Sequence, residues 1–170
     1  MKNFLELCEA RFAARKFTDE PVSDDDIEFL KTAVRLAPSA ANCQPWRFLI
    51  VRSDEGRAKL RQCYSRAWFK TAPMYLVAFK SIAECWVRHD DGKLYADFDL
   101  GIAVEHFCLA AAERGLGSCC VAHYDTRKLR DLFPEDGLEA VAIVPFGHVA
   151  ADCERTPKVR KSMADIFREV

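Results

Sequence analysis

Apolar and polar positions alternate along the chain in a way that separates helices from strands. Phe4, Leu5, Leu7, Cys8, Arg11 and Phe12 fall at roughly helical spacing behind Asn3, a side chain suited to cap a helix. Ser23 caps a second helix whose first turn, Asp24-Asp25-Asp26, suits the positive end of the helix dipole. Ile27, Leu30, Val34 and Ala37 give that helix one apolar face, and Pro38 stops it. Trp46 to Val51 is β-branched and aromatic and predicts a strand, and Ser53-Asp54-Glu55 starts a helix through about Tyr64. Met74 to Phe79 is almost continuously apolar, which predicts a buried strand. Leu94 to Arg114 predicts the longest helix, with no charge from Phe107 to Ala112, so it is buried on several sides. Gly115 ends it as a C′ residue.

Beyond that glycine, Gly117 to Ala122 predicts a third strand, Thr126 to Phe133 a short helix stopped by Pro134, Ala140 to Pro145 a fourth strand, and Met163 to Glu169 a short last helix. Ser81 to Lys93, with Trp86, His89 and the turn Asp90-Asp91-Gly92, reads either as a surface loop or as a lid facing substrate. The alternation of helices and strands alone suggests a parallel Rossmann-like sheet. No G-x-G-x-x-G follows any strand, however, and Gly115-Leu116-Gly117 comes after a helix, which excludes a dinucleotide-binding fold of that kind.

At 170 residues the chain makes one domain, long enough to bury about 70% of its unfolded surface. Twenty-five basic and twenty-six acidic residues leave no net field toward nucleic acid or membrane. No window approaches a membrane span, and the start, MKNFLELCEARF, lacks the apolar core of a signal peptide; a cytoplasmic location is expected. Eight cysteines, at 8, 43, 63, 85, 108, 119, 120 and 153, include no C-x-x-C, and the four histidines supply no paired zinc ligands. They read as reduced small hydrophobes, and no metal is expected.

Candidate chemistry is concentrated in Pro38-Ser39-Ala40-Ala41-Asn42-Cys43-Gln44-Pro45-Trp46. Two prolines hold small residues and two amides between them, so a flat ligand can approach the backbone and meet both donors and acceptors. The same composition also suits an ordinary helix-to-strand turn. Arg11 and Arg15 at the end of the first helix and the basic tail Arg155 to Lys161 are candidate anion ligands, or else solvated charges.

The run Ala37 to Trp46, APSAANCQPW, resembles the APS-A-x-N-x-QPW signature of the nitroreductase family of FMN-dependent oxidoreductases. Arg11 to Phe17 (RFAARKF) and Leu109 to Ser118 (LAAAERGLGS) resemble two further family segments in the same order. The resemblance implies an α+β fold, a mixed central sheet wrapped by helices, in an intertwined homodimer with FMN at the interface. It implies that Arg11, Phe12, Ala13 and Arg15 lie under the flavin, with Arg11 on the phosphate and Arg15 near the ring. The usual serine is Ala13 here, which removes a hydroxyl but leaves backbone contacts. Pro38, Ser39, Asn42 and Gln44 would face the polar edge of the ring, and backbone groups of Cys119, Cys120 and Val121 its other end. A tryptophan is common where Cys120 stands. Arg160, ahead of Lys158, matches the family's late phosphate ligand. The implied activity is hydride transfer from NADH or NADPH to a small organic acceptor such as a nitroaromatic or quinone, with ping-pong kinetics and no catalytic triad. A flavin-binding protein without turnover and a thiol- or metal-binding protein are the alternatives.

Overall fold

The computed structural model describes residues 3–170. Helix α1, Phe4–Ala10, begins with a capping box: Asn3 Oδ1 accepts from the Glu6 N–H and Glu6 Oε2 accepts from the Asn3 N–H, both at 3.0 Å. Helix α2, Asp24–Arg35, is capped by Ser23, whose hydroxyl accepts from the Asp26 N–H, and it buries Ile27, Leu30 and Val34. Strand β1 is Trp46–Val51, helix α3 Asp54–Leu60, strand β2 Met74–Ser81 and helix α4 Ala96–Glu113. Strand β3 is Gly117–Ser118, helix α5 Thr126–Leu132, strand β4 Leu138–Gly147 and helix α6 Met163–Ile166.

The four strands form one sheet in the order β1-β2-β4-β3, and each ladder is antiparallel. The fold is α+β, as the resemblance implies. Among the described residues the parallel component of the expected mixed sheet is confined to one isolated bridge, Ala13 to Ser118. Strand β2 is buried at all eight positions because the sheet is covered on both faces. Successive side chains point to opposite sides. Leu76 and Ala78 join the core built with Leu30 of α2 and Leu100, Ala103 and Phe107 of α4. Tyr75, Val77 and Phe79 join the other core, with Leu60, Phe69, Leu129 and Ile143. At its end β2 runs two residues beyond the apolar run, through Lys80 and Ser81; the Lys80 ammonium pairs with Asp97 at 2.8 Å and Glu139 at 3.5 Å.

Helix α4 is shorter than the sequence predicts by two residues at its start and one at its end, and α5 by one at its end; three other elements fall short by more. Helix α3 stops at Leu60 because the N–H groups of Gln62 and Cys63 bond three residues back, to Lys59 and Leu60, and tighten the last turn. Tyr64 then turns into an aromatic group with Trp68 and Phe69. The strand predicted over 117–122 pairs only at 117–118. Cys119 donates to the Pro145 carbonyl at 3.2 Å, but Pro145 has no N–H to return the bond, and the chain rejoins β4 only at the Val121–Ile143 bridge. Helix α6 has one turn where two were expected.

Candidate active site

Helix α1 ends without a basic residue in its last turn, and the C-terminal tail supplies the missing cations. Arg155 donates to the Glu9 and Ala10 carbonyls at 2.6 and 3.1 Å, and Lys158 donates to those of Cys8 and Glu9. This strap brings Lys158 and Arg160 to a cavity of about 370 Å³ shared with Leu5, Cys8, Glu9, Arg11 and Glu105. Arg11 pairs with Glu105 at 3.1 Å. Desolvation first, then the charges of Arg11, Arg160 and Arg155, hold the Lys158 ammonium below its ordinary pKa. Three cations, Arg11, Lys158 and Arg160, thus converge on this cavity beside the carboxylates of Glu9 and Glu105.

The arm that follows α1 runs beside the start of the 117–121 segment. Ala13 bridges Ser118, and the Ala14 N–H donates to the Ser118 carbonyl at 3.0 Å. Gly117 permits this approach: a Cβ there would sit 2.7 Å from the Ala14 Cβ and would clash with Val149 Cγ2. Ala13 and Phe12 are half-buried, and Phe12 lies under the Arg155 guanidinium, 5.0 Å from the ring centroid. Arg15 is exposed and reaches over the Trp68 ring at 5.9 Å. Cys119 and Val121 are buried and Cys120 is exposed. Burial pushes the Cys119 thiol up, against the pull of Arg15 and Arg11, and pushes Cys108 up to about 12. Both stay protonated at neutral pH and are poor nucleophiles or metal ligands. Among the described residues no group of three or more His, Cys, Asp or Glu side chains could hold a metal ion.

The loop between α2 and β1 is wound tightly. Residues 40–42 form a 3₁₀ turn, and Ala41, Asn42 and Gln44 all have positive φ, of 48°, 55° and 50°. Each such non-glycine residue costs of order 1 kcal/mol or more. The Gln44 N–H donates to Ser39 Oγ at 2.8 Å, and the Gln44 side-chain amide donates to Asn42 Oδ1 at 3.1 Å. The two amides therefore act as one exposed unit beside Pro38 and Ser39. Ser39 is half-buried, and its oxygen holds Gln44 in place. Gln44 also borders an apolar cleft of about 350 Å³ lined by Val34, Trp46, Phe48, Leu76 and Phe107.

The predicted residues thus fall into two groups. Arg11, Phe12, Ala13, Arg15, the start of 119–121 and Arg160 gather at the arm and tail; Pro38, Ser39, Asn42 and Gln44 gather at the loop. Among the described residues no hydrogen bond or ion pair joins the two groups.

The nitroreductase family model matches residues 8–63 and 61–148. The chain belongs to the nitroreductase family. A provisionally named NADH dehydrogenase/NAD(P)H nitroreductase of Archaeoglobus fulgidus is 29% identical over 161 residues, which cover 87% of this chain and 86% of that protein. The structure of a nitroreductase family protein from Clostridium difficile 630 superposes with a TM-score of 0.87 at 28% identity, covering 98% of each chain. A provisionally named nitroreductase from Exiguobacterium sibiricum, solved in complex with FMN, shares the fold at a TM-score of 0.85 and 20% identity, over all of this chain and 98% of that one.

Within this nitroreductase, two side chains at the candidate site went unmarked in the sequence. Trp68 gives Arg15 its aromatic floor, and Glu105 neutralises Arg11. Neither lies in a motif, and only the tertiary packing brings them to the arginines. Lys158, ranked behind Arg160, borders the same cavity and also caps α1.

Proposed function

We propose that this nitroreductase is an NAD(P)H-dependent FMN oxidoreductase that passes hydride to a small organic acceptor, a nitroaromatic or a quinone. The observation that carries this reading is the cavity where Arg11, Lys158 and Arg160 converge beside Glu9 and Glu105, a lining with an excess of positive charge that suits a phosphate of nearly two negative charges. Bound FMN supplies the hydride chemistry, so the protein needs no nucleophile or acid–base dyad. Arg11 and Arg160 hold the phosphate, with Lys158 beside them. Arg15, paired with no carboxylate among the described residues and lying over Trp68, stabilises negative charge that develops at the ring. Asn42 and Gln44 present their amides to the polar edge, and the backbone of 119–121 addresses the other end. Donor and acceptor use the open face in turn, which predicts parallel double-reciprocal plots.

The pure protein is expected to carry about one non-covalent FMN per chain, seen as flavin bands in the visible spectrum and bleached by NADH or NADPH. A colourless protein that stays colourless after soaking with FMN would end this reading, and a flavin that neither nucleotide bleaches would leave a binding protein only.

The separation of the site residues into two groups supports a homodimer in which a second copy supplies the loop to the arm and tail of the first. Phe98 on α4 is 62% exposed and Leu36 70%, and the tail carries Met163 and Phe167 at 73% and 64% exposed. Such apolar surface favours a partner. Light scattering is expected to give twice the sequence mass, and a flavin-bearing monomer would refute the dimer.

A further inference from the structure

We infer that Asp99 is the positioning residue of the 38–44 loop, its carboxylate fixing the left-handed turn that presents the Asn42 and Gln44 amides. Asp99 lies in the first turn of α4 and is wholly buried, while most of its buried neighbours on that helix are alanine, leucine, valine and phenylalanine. Its Oδ1 accepts from the Ala40 N–H at 3.0 Å, a contact between residues 59 apart in sequence. Its Oδ2 is buried with no hydrogen-bond partner among the described residues. A carboxylate with one bare oxygen is an unfavourable group to bury, and an alanine or leucine in this helix would avoid that cost. What it offers in return is one acceptor at the point where the loop begins its unfavourable conformation.

At its exit the loop is tied to β2, where the Ser81 N–H donates to the Pro45 carbonyl at 2.9 Å; between Ala40 and Gln44, among the described residues, it is otherwise held by bonds within itself and to Trp46. Asn42 donates to the Ser39 carbonyl, Cys43 to Ala40, Trp46 to Gln44, and the Gln44 N–H to the Ser39 hydroxyl. The bonds within the loop set the shape of the turn, and the Pro45 contact fixes only its exit to the sheet. Ala40 is the first residue of the 3₁₀ turn, and its bond to Asp99 ties the turn to α4. The three positive-φ residues, Ala41, Asn42 and Gln44, follow directly. Without the tie, the loop relaxes toward ordinary φ and the paired amides lose their orientation.

The functional consequence rests on the proposed reading of Asn42 and Gln44 as flavin contacts; the structural role of Asp99 does not. The experiment therefore has two arms, on the full chain. In the first, hydrogen–deuterium exchange of the flavin-free protein is followed across residues 38–46. Asp99→Ala is expected to speed exchange there about tenfold or more while the β2 and β4 peptides stay protected. In the second, FMN and riboflavin are titrated and the midpoint potential of bound flavin is measured. Asp99→Ala is expected to weaken both flavins about equally, by roughly tenfold, and to displace the potential in the same direction as Gln44→Ala. Asp99→Asn, which keeps the acceptor, is expected to restore exchange, affinity and potential to near wild-type values, and Asp99→Leu is expected to stay impaired; that split is a response that loss of packing alone does not give. Should Asp99→Ala fail to fold, Asp99→Leu, which fills the volume without an acceptor, carries the same expectations. Unchanged exchange in the alanine or leucine variant, an asparagine variant as impaired as alanine, or a loss confined to FMN would each overturn the inference. A wild-type protein that takes up no flavin would instead overturn the proposed function, and the exchange arm would still decide the role of Asp99.

Discussion

Arg11→Ala is expected to weaken FMN about ten- to a hundredfold while leaving riboflavin nearly unaffected. The guanidinium borders the cation-lined cavity, and a lost charge-assisted hydrogen bond is worth roughly 1.5–3 kcal/mol. Arg11 pairs with Glu105; the Arg11 side chain is 24% exposed and that of Glu105 53%. A partly exposed pair of this kind contributes little, about 0–1 kcal/mol, so a doubly charged phosphate is expected to compete with the carboxylate for Arg11. Arg15→Ala should behave differently. Arg15 lies over Trp68, away from the cavity, and its loss should weaken both flavins and make bound flavin harder to reduce. Titration of the two variants with the two flavins, together with midpoint potentials, checks the assignment. Equal losses of FMN and riboflavin in Arg11→Ala would move that arginine off the phosphate.

Gly117→Ala is expected to destabilise the protein by about 1–3 kcal/mol, the usual penalty for overpacking a tight site. The new methyl would meet Val149 Cγ2 and lie 2.7 Å from the Ala14 Cβ. Ala14 cannot swing away: it is buried with no side-chain torsion to relax, and its N–H is bonded to the Ser118 carbonyl, while the backbone of Val149 is held by its bridge with Phe17. The arm carrying Arg11 and Arg15 must therefore shift. Denaturant unfolding should show a lower midpoint with an unchanged slope, and FMN affinity should fall with it. By contrast, Gly101→Ala adds a methyl with nothing within 4 Å, in a helix, and should be neutral or mildly stabilising. If the two variants proved equally stable, close packing of the arm would not be what requires glycine at 117.

Much of this architecture is legible in the sequence because the relevant signals are local. The cap at Ser23, the apolar face of α2 and the continuous run of β2 each depend on neighbours within a few positions. The ends of α3 and of the 117–122 segment are not local. The first is set by the turn into the Tyr64–Trp68–Phe69 rings, and the second by Pro145, a residue of another strand that withholds an N–H. The same division holds for the candidate site. Arg11, Arg15 and the 38–46 loop stand out by composition and by motif. Asp99 does not, because one aspartate in the first turn of a helix looks like ordinary dipole complementarity until its burial and its tie to Ala40 are seen.

The strap between the tail and α1 also bears on the order in which the protein assembles. Arg155 and Lys158 reach carbonyls of residues 8–10, contacts separated by 145 to 150 positions. Loops of that length close at an entropic cost that the strap alone cannot repay, so the two chain ends meet only after the sheet has brought them near. The cation-lined cavity is consequently among the last features to form. An anion that needs Arg11 and Arg160 together cannot grip a half-folded chain, and its binding free energy accrues to the native state alone. Cofactor uptake then serves as a report of completed folding.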